Sequence, residues 1–344
     1  MFPPSAEERD LAHCRALLRT GSRTFHAASL ALPRRVRAPA SALYAFCRVA
    51  DDAVDQPGEG GGGLAAVRRL ERRLDRIYAG EPADSPVDRA VAHVVGRFEM
   101  PRELPAALIE GLRWDTEGRV YDTLSEVHSY AARVAGSVGA MMAVLMGVRD
   151  PAGLARAADL GVAMQLSNIA RDVGEDARLG RLYLPRDWLR EEGIDPDDFL
   201  AAPRFDDRIG RVVARLLAVA EAHYARGAAG IAALPGDCRY AIRLAGLLYA
   251  EIGREVGRRG GDSLSARAVV GARRKLALAL AALAPPGREL AGAPALAETR
   301  FLVEAAARGL DDEPTLAGAE ARIAWLVDLF TRLALRERGL AGMD

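Results

Sequence analysis

The chain has 344 residues, half of them hydrophobic and only 6% aromatic, which is enough apolar material for one large domain. Lysine plus arginine equals aspartate plus glutamate at 47 each, so no overall positive charge favours nucleic acid, and we expect no nucleic-acid partner. Three isolated cysteines, Cys14, Cys47 and Cys238, have neither metal-ligand nor disulfide spacing, which predicts reduced thiols in a cytoplasmic protein.

Helical periodicity recurs along the chain, whereas the alternation typical of strands is scarce, which predicts an all-α protein. Breaks rich in proline or glycine divide the chain into about eight to ten helical segments. Two segments have a clear apolar stripe with a spacing of three or four residues, and we expect both stripes to face the core. Their members are Leu64, Val67, Leu70, Leu74 and Ile77 in the first, and Ile209, Val212, Val213, Leu216, Leu217 and Ala220 in the second.

Acidic residues follow an apolar helical run in Y-A-F-C-R-V-A-D-D-A-V-D, which spans Tyr44 to Asp55. Asp51 and Asp55 are one helical turn apart, about 6 Å along the axis, and therefore share a face. Arg48 lies just upstream. Because like charges at this spacing destabilise a helix slightly, a single such pair is usually a solvated surface.

Two further segments have simple structural interpretations. Gly58-x-Gly60-x-x-Gly63 matches a dinucleotide fingerprint only as a string, since no strand precedes it, and we interpret it as a flexible loop. The longest apolar run, Val134 to Val148, is shorter than the ~20 residues that a membrane span needs. We therefore predict a buried helix of the core there.

The segment N-I-A-R-D-V-G-E-D-A-R-L-G-R-L-Y-L-P, from Asn168 to Pro185, repeats the acidic pattern. Asp172 and Asp176 are one helical turn apart, and Arg171 lies just upstream. Two such groups, each next to apolar rather than mixed-charge helix, favour an internal site over two solvated faces.

The chemistry of these carboxylates indicates which ligand they would bind. Carboxylates without neighbouring His or Cys are hard oxygen ligands, which suit Mg²⁺ rather than zinc. Mg²⁺ commonly bridges carboxylates and phosphates, so facing aspartate pairs would hold a metal–diphosphate, with arginines contacting its oxygens. The apolar surroundings predict a hydrocarbon as the rest of the substrate. A glycosidase acid/base pair, which needs fewer acids, is one alternative, and a scaffold protein with solvated acidic patches is another.

The last proline-rich break, at 285–294, separates an all-α domain at 1–284 from a linker and C-terminal helices at 285–344. We predict that this C-terminal piece packs on the main domain, and contact with a membrane surface is the alternative. Its apolar stripe consists of Ile323, Leu326, Val327, Phe330 and Leu333.

Six segments together resemble the squalene/phytoene synthase family of head-to-head prenyl transferases, from about Ser22 to about Lys275. In the order of the family they are Ser22–Pro33, Tyr44–Asp55, Tyr130–Met142, Asn168–Pro185, Leu247–Val256 and Ala272–Ala277. The second acidic segment and A-R-R-K-L-A are most similar to bacterial phytoene synthases. The resemblance implies a single helical bundle of the isoprenoid synthase type around a central cavity.

The resemblance also implies roles for individual residues. Residues that would bind Mg²⁺ and the diphosphates, with Glu175 in support, are Asp51, Asp52, Asp55, Asn168, Asp172 and Asp176. Residues that would contact the substrate are Ser22, Arg23, Phe25, Arg48, Gln165, Asn168, Arg171, Arg181, Tyr183 and Arg267, the last matched with a spacing displaced by one residue. The tyrosines implied to lie near the reacting carbons are Tyr44, Tyr130, Tyr183 and Tyr249.

One position departs from the family pattern. Val120 stands where the family often has an arginine, and Arg119 is the candidate substitute. The departure puts local charge pairing in question and leaves the implied reaction class unchanged.

The implied reaction is Mg²⁺-dependent condensation of two geranylgeranyl diphosphates to phytoene without NADPH, with Mn²⁺ as an alternative metal. The alternative substrate is farnesyl diphosphate, giving squalene, dehydrosqualene or hydroxysqualene by the same chemistry. Because such a hydrocarbon is insoluble in water, we expect a cytoplasmic enzyme with peripheral contact at the inner face of the membrane. The sequence predicts no oligomeric state.

Overall fold

The computed structural model describes residues 5–21, 28–55, 63–284 and 293–308 of the chain. Within these ranges the regular structure is helical and no strand occurs, which confirms the predicted all-α class. The α-helices are α1 (Ala6–Gly21), α2 (Arg34–Asp55), α3 (Gly63–Tyr78), α4 (Pro86–Phe98), α5 (Glu103–Thr116), α6 (Leu124–Ala131), α7 (Ser137–Leu145), α8 (Pro151–Arg178), α9 (Arg186–Glu191), α10 (Pro196–Ala201), α11 (Asp207–Ala229), α12 (Gly236–Arg258), α13 (Ala272–Ala281) and α14 (Arg300–Ala307). A π turn covers Ala132–Gly136, and 3₁₀ turns cover Gly230–Ala233 and Ala297–Thr299.

The 28-residue helix α8 packs against α7, α11, α12 and α14 and so lies at the centre of the bundle. It begins with proline at Pro151, directly after Asp150, whose carboxylate accepts a hydrogen bond from the Gly153 N–H at 2.7 Å and caps the helix. At 1.5 Å per residue, α8 is about 42 Å long. One continuous element can therefore carry both ends of an elongated site.

The helices α7 and α8 approach each other closely because glycines lie where they meet. A Cβ atom at Gly139 would overlap with the carbonyl group of Ala157, and one at Gly161 would overlap with the carbonyl group of Ala135. Neither position accepts a larger side chain unless the backbones move apart. The π turn, a conformation often found at functional sites, contains Ala135 and so forms part of this contact.

Three buried apolar clusters form the core of the described residues. The first joins α1 to α5 with α7, α14 and parts of α8 and α12. The second joins the end of α5 and α6 with α8 to α12, and the small third cluster joins α12 with α13. The predicted stripe of α11 is buried along its whole length, as predicted. In α3 the stripe is buried from Val67 onwards, whereas Leu64 in the first turn is 45% exposed, so the prediction was wrong for that residue.

Cys14, Cys47 and Cys238 are all free, in line with their spacing, and Cys14 and Cys238 are buried. The described helices include none with the length and apolar character that crossing a bilayer takes. Towards the C-terminus, α14 packs against α5, α7 and α8, and residues 1–307 form one compact unit. The predicted stripe from Ile323 to Leu333 lies outside the described residues, as does the glycine loop at 58–62.

Candidate active site

An apolar cavity of about 290 Å³ lies between α2, α7, α8 and α12. Small and aliphatic side chains line most of it. The predicted core helix contributes six of the lining residues, which are Val134, Ala135, Val138, Gly139, Met142 and Met146. Four residues with predicted roles also line the cavity, namely Tyr44, Gln165, Asn168 and Tyr249. The cavity therefore joins hydrocarbon walls to a group of polar side chains.

The first acidic group lies in the last turns of α2. Arg48 Nη2 is 2.7 Å from Asp52 Oδ1, and Arg48 Nη1 is 3.9 Å from Asp51 Oδ2. The side chain of Asp51 is 52% exposed and that of Asp52 is 40% exposed. The expectation of an internal site is therefore wrong for these two carboxylates, because the end of α2 faces water.

Four predicted residues of this region lie outside what the structure describes. Asp55 is the last residue of α2, but its side chain is not among the described ones. Ser22, Arg23 and Phe25 fall in the range 22–27, which is also outside the described residues. Their implied roles stay predictions.

Asp172 is the centre of the second acidic group and is held by two arginines. Arg171 Nε donates to Asp172 Oδ1 at 2.7 Å, and Arg267 Nη2 donates to Asp172 Oδ2 at 3.2 Å. Arg267 Nη1 is also 3.6 Å from Glu175 Oε2. The Asp172 side chain is only 16% exposed. The structure thus brings Arg267, from the segment before α13, to the acidic face of α8 despite its displaced spacing.

Asp176 lies one turn further along α8 in a less hydrated position. Burial raises the pKa of Asp176 to about 7, the nearby Asp172 carboxylate adds to this rise, and the positive charge of Arg181 opposes it. The Arg181 backbone N–H donates to the Asp176 carbonyl oxygen at 2.8 Å, which fixes the turn that follows α8. The positive charge of Arg181 is thus outweighed at this carboxyl group, and a bound cation would supply further positive charge.

The oxygen donors on α8 fit a magnesium ion. Asn168 Oδ1 is buried and accepts no hydrogen bond from the described residues, while the Asn168 amide nitrogen is 3.5 Å from Gln165 Oε1. Together with the carboxylates of Asp172 and Asp176, this amide oxygen is the hard type of ligand that Mg²⁺ prefers. Within the described ranges no three His, Cys, Asp or Glu side chains form a metal-holding cluster by themselves.

Tyr130 and Tyr183, two of the predicted tyrosines, are not among the described residues that line the cavity and belong to a separate group. Their hydroxyl groups both donate to Asp115, to Oδ2 at 3.0 Å from Tyr130 and to Oδ1 at 2.7 Å from Tyr183. Their rings stack with centroids 4.8 Å apart, and Tyr121 packs beside them. Burial raises the pKa of both hydroxyls, so they stay protonated and act as donors.

Asp115 is a candidate functional residue that the sequence analysis did not single out. Its negative charge contributes to the raised pKa of Asp176, which places it in the electrostatic environment of the second acidic group. The segment D-T-E-G that begins at Asp115 contains no repeated acidic spacing. The helix also contains Glu103, Glu110 and Arg113, so nothing in the local pattern distinguishes Asp115 from a surface acid.

The departure at Val120 has a simple structural outcome. Val120 is 51% exposed, and the guanidinium carbon of Arg119 lies 3.7 Å from the ring centroid of Trp114. Arg119 therefore makes a cation–π contact with Trp114.

Comparison with known proteins is consistent with this architecture. The family model described as squalene/phytoene synthase matches residues 18–274. A phytoene synthase of Rhodobacter capsulatus is 54% identical over 342 residues, covering 97% of this chain and 98% of the relative. A phytoene synthase of Cereibacter sphaeroides is 53% identical over 334 residues, covering 93% of each chain. Among solved structures, a dehydrosqualene synthase in complex with a ligand superposes with a TM-score of 0.72 at 30% identity, covering 80% of this chain and 96% of that one. The chain therefore belongs to the squalene/phytoene synthase family.

Proposed function

We propose that this chain condenses two geranylgeranyl diphosphates head to head and releases 15-cis-phytoene and diphosphate. The observation that carries the proposal is the arrangement along α8, which bears Asp172 and Asp176 near its C-terminal end and lines an apolar cavity over much of its length. Diphosphate and hydrocarbon are thus accommodated by one helix. The names of the two most similar relatives reported above support this choice of reaction.

The proposed chemistry balances without a redox partner. One diphosphate leaves with its electron pair, and the double bond of the second molecule attacks the resulting allylic cation. Loss of a proton closes a cyclopropylcarbinyl diphosphate, which ionises, rearranges and loses a second proton. Two C20 diphosphates therefore give one C40 hydrocarbon, two diphosphates and two protons, and the proposal includes no NADPH.

The protein's own residues contribute electrostatic stabilisation and exclude water. Arg48, Arg171 and Arg267 place positive charge where the leaving groups develop negative charge. The apolar cavity keeps water from the cation, and the rings of Tyr44 and Tyr249 offer it an aromatic environment at the polar end.

The proposed metal is Mg²⁺, with Mn²⁺ as an alternative, and when bound it would neutralise charge on the leaving diphosphate. The residues that would hold it are Asp51, Asp52, Asp55, Asn168, Asp172 and Asp176.

The cavity is long enough for the longer substrate. Asn168 and Gly153 both line it and are fifteen residues apart on α8, which at 1.5 Å per residue is about 22 Å. If an extended chain advances about 1.2 Å per backbone bond, as a polypeptide does, a tail of four isoprene units is about 19 Å long and one of three units about 14 Å. The far end is lined by Arg156, whose charge is balanced by Asp159 at 2.8 Å.

A product assay tests the reaction directly. The purified full chain would be incubated with Mg²⁺ and geranylgeranyl diphosphate in the absence of NADPH. We expect a C40 hydrocarbon and two diphosphates released for each molecule formed. A C30 product from farnesyl diphosphate, with no C40 product from geranylgeranyl diphosphate, would assign the chain to the alternative substrate.

Substitution of the aspartates separates the enzyme from the scaffold alternative. We predict that Asp51→Asn or Asp172→Asn lowers turnover by about 10³ or more, because electrostatic stabilisation of the leaving group is lost. The control is Asp84→Asn, since this fully exposed acid pairs only with Arg89 among the described residues and should leave turnover unchanged. Circular dichroism would verify that the variants are folded, and unchanged turnover in Asp172→Asn would favour the scaffold.

We also propose that the enzyme works at the surface of a membrane, because its hydrocarbon product partitions into lipid. The proposed substrates, prenyl diphosphates, are themselves amphiphilic.

A further inference from the structure

Half of the exposed large hydrophobic side chains fall on one short part of the chain. Eight such residues are more than a third exposed over the whole described surface, and four of them lie between positions 269 and 283. These four are Val269 (69% exposed), Leu276 (65%), Leu280 (62%) and Leu283 (67%). Single exposed leucines are ordinary, but a contiguous group marks an interaction surface.

Three of these residues lie on one side of α13 and the turn that ends it. Leu276, Leu280 and Leu283 are four and three residues apart, so they share a face. The opposite face contains Leu278 and Ala282, which are buried against Leu244 and Leu248 of α12. The fold therefore already satisfies one apolar face of α13 and leaves a second one exposed.

The charges of this helix are all positive. Its first turn carries Arg273, Arg274 and Lys275, and the helix contains no acid. Arg274 pairs with the buried Glu251 at 2.8 Å. Arg273 and Lys275 have no carboxylate partner among the described residues, and Arg273 lies at the N-terminal end of the exposed leucine face. Cations at a helix N-terminus oppose the helix dipole, so their position calls for a negatively charged partner.

The same surface adjoins the candidate active site. A hollow beside α13 is lined by Arg171, Leu248, Ile252, Arg267, Val269 and Lys275. Arg171 and Arg267 are the two arginines that hold Asp172. A partner bound to the leucine face would therefore lie beside the diphosphate-binding residues.

We propose that Val269, Leu276, Leu280 and Leu283, with Arg273 and Lys275, form a docking surface for an anionic lipid bilayer. The leucines enter the acyl boundary and the two cations contact negatively charged headgroups, which is the pattern of an interfacial amphipathic helix. The inference rests on the proposed function, because it delivers an insoluble product next to the lipid that takes it up.

Vesicle flotation of the full-length protein tests the surface. Vesicles of neutral phosphatidylcholine would be compared with vesicles that also contain anionic phosphatidylglycerol. We expect the triple variant Leu276→Ser, Leu280→Ser, Leu283→Ser to lower binding about tenfold or more, because apolar burial supplies most of the affinity. The variant Arg273→Gln, Lys275→Gln should remove the preference for anionic vesicles and retain weak binding to neutral ones.

The matched control is Leu64→Ser, because Leu64 is 45% exposed and lies on α3, which packs against α2, α4 and α5. It should float with vesicles like the unchanged protein. Turnover of detergent-solubilised geranylgeranyl diphosphate, measured in parallel, should be retained in the triple leucine variant. If the unchanged protein formed no C40 product, the proposed function would be contradicted. The flotation result would still show whether this surface binds lipid.

Three results would overturn the docking surface. One is a triple leucine variant that floats like the unchanged protein, and another is an unchanged protein that binds no vesicle of either composition. The third is a leucine variant whose molar mass by light scattering falls from dimer to monomer while vesicle binding stays the same, because the face would then be an interface between two copies of this chain.

Discussion

At the scale of single residues, Asp172 and Asp176 differ although they are one helical turn apart. Asp172 has both oxygens engaged by arginines, whereas Asp176 has a raised pKa because burial and neighbouring acids outweigh the charge of Arg181. When a metal–diphosphate binds here, the metal replaces the arginines as the partner of Asp172. Arg171 and Arg267 can then bind the phosphate oxygens instead. The arginines thus hold the site together before the substrate arrives.

This arrangement predicts that one substitution changes the affinity for metal and the affinity for substrate in opposite directions. Arg267→Gln frees part of Asp172, so affinity for Mn²⁺ in the absence of substrate should rise about twofold to fivefold, the range expected for an exposed ion pair. Affinity for the diphosphate substrate should fall, seen as a higher KM. Electron paramagnetic resonance would measure free Mn²⁺, with Arg267→Lys as the charge-preserving control. If Arg267→Gln bound both Mn²⁺ and the diphosphate substrate more weakly, the proposed change of partner at Asp172 would be contradicted.

The raised pKa of Asp176 predicts a pH-dependent stability of the metal-free protein. The folded state binds the proton more tightly than the unfolded state, whose pKa is near the usual 3.8. Stability from this group is therefore complete below about pH 4 and is lost as the pH rises through about 7. Asp176→Asn should accordingly raise the free energy of unfolding by about 2 kcal/mol at pH 8 and by little at pH 4.

Urea unfolding in the presence of a chelator at the two pH values would measure this difference. Added Mg²⁺ with diphosphate should reverse the order at pH 8, since the charged aspartate binds the cation more strongly than a neutral asparagine amide. Equal stabilisation by Asp176→Asn at pH 4 and pH 8 would argue against a titrating carboxyl group.

At the scale of helices, the close contact of α7 and α8 shapes the cavity wall. Residues on either side of Gly139 and Gly161 line the cavity, so the distance between these helices determines how far the wall lies from the substrate. A methyl group at the crossing would push against backbone that cannot move independently.

We predict that Gly161→Ala lowers the free energy of unfolding by about 2 to 3 kcal/mol through overpacking. Gly96→Ala in α4 is the control, because a Cβ atom there meets nothing within 4 Å and alanine is the better helix former. Thermal unfolding followed by circular dichroism would compare the two. An equal change of thermal stability in both variants would contradict the proposed role of the contact between α7 and α8.

The helices themselves could be predicted from the sequence to different degrees. The stripe of α11 follows a 3.6-residue period over more than two turns, so local pattern alone identified its buried face. Leu64 fits the same period but lies in the first turn of α3, where the pattern does not tell whether a neighbour covers it. The π turn at Ala132–Gly136 has no periodic signal of its own.

The candidate site could be predicted where its residues repeat a spacing within one helix. Asp51, Asp172 and Asp176 were found in this way. The Asp115 group could not be found, because its partners Tyr130 and Tyr183 are 15 and 68 residues away and meet it only after folding. The exposure of Asp51 was missed because spacing gives direction around a helix and says nothing of depth below the surface.

At the scale of the whole molecule, the long central helix α8 carries the acidic residues at one end and forms part of the apolar cavity wall along its length. The distance along α8 from Asn168 to Gly153, about 22 Å by helix rise, exceeds the length of a four-isoprene tail. The surface of α13 adds an outer face beside the arginines of the same site. Substrate length is thus a property of the assembled bundle, which no single segment of sequence encodes.

A competition experiment tests this account most directly. Equimolar geranylgeranyl and farnesyl diphosphates would be offered together to the purified full chain with Mg²⁺ and without NADPH, and the hydrocarbons would be separated by chain length. We predict a C40 product, 15-cis-phytoene, in about tenfold or greater excess over C30 hydrocarbon, since the longer tail buries more apolar surface in the cavity. A C30 product in excess would contradict the assignment of the substrate.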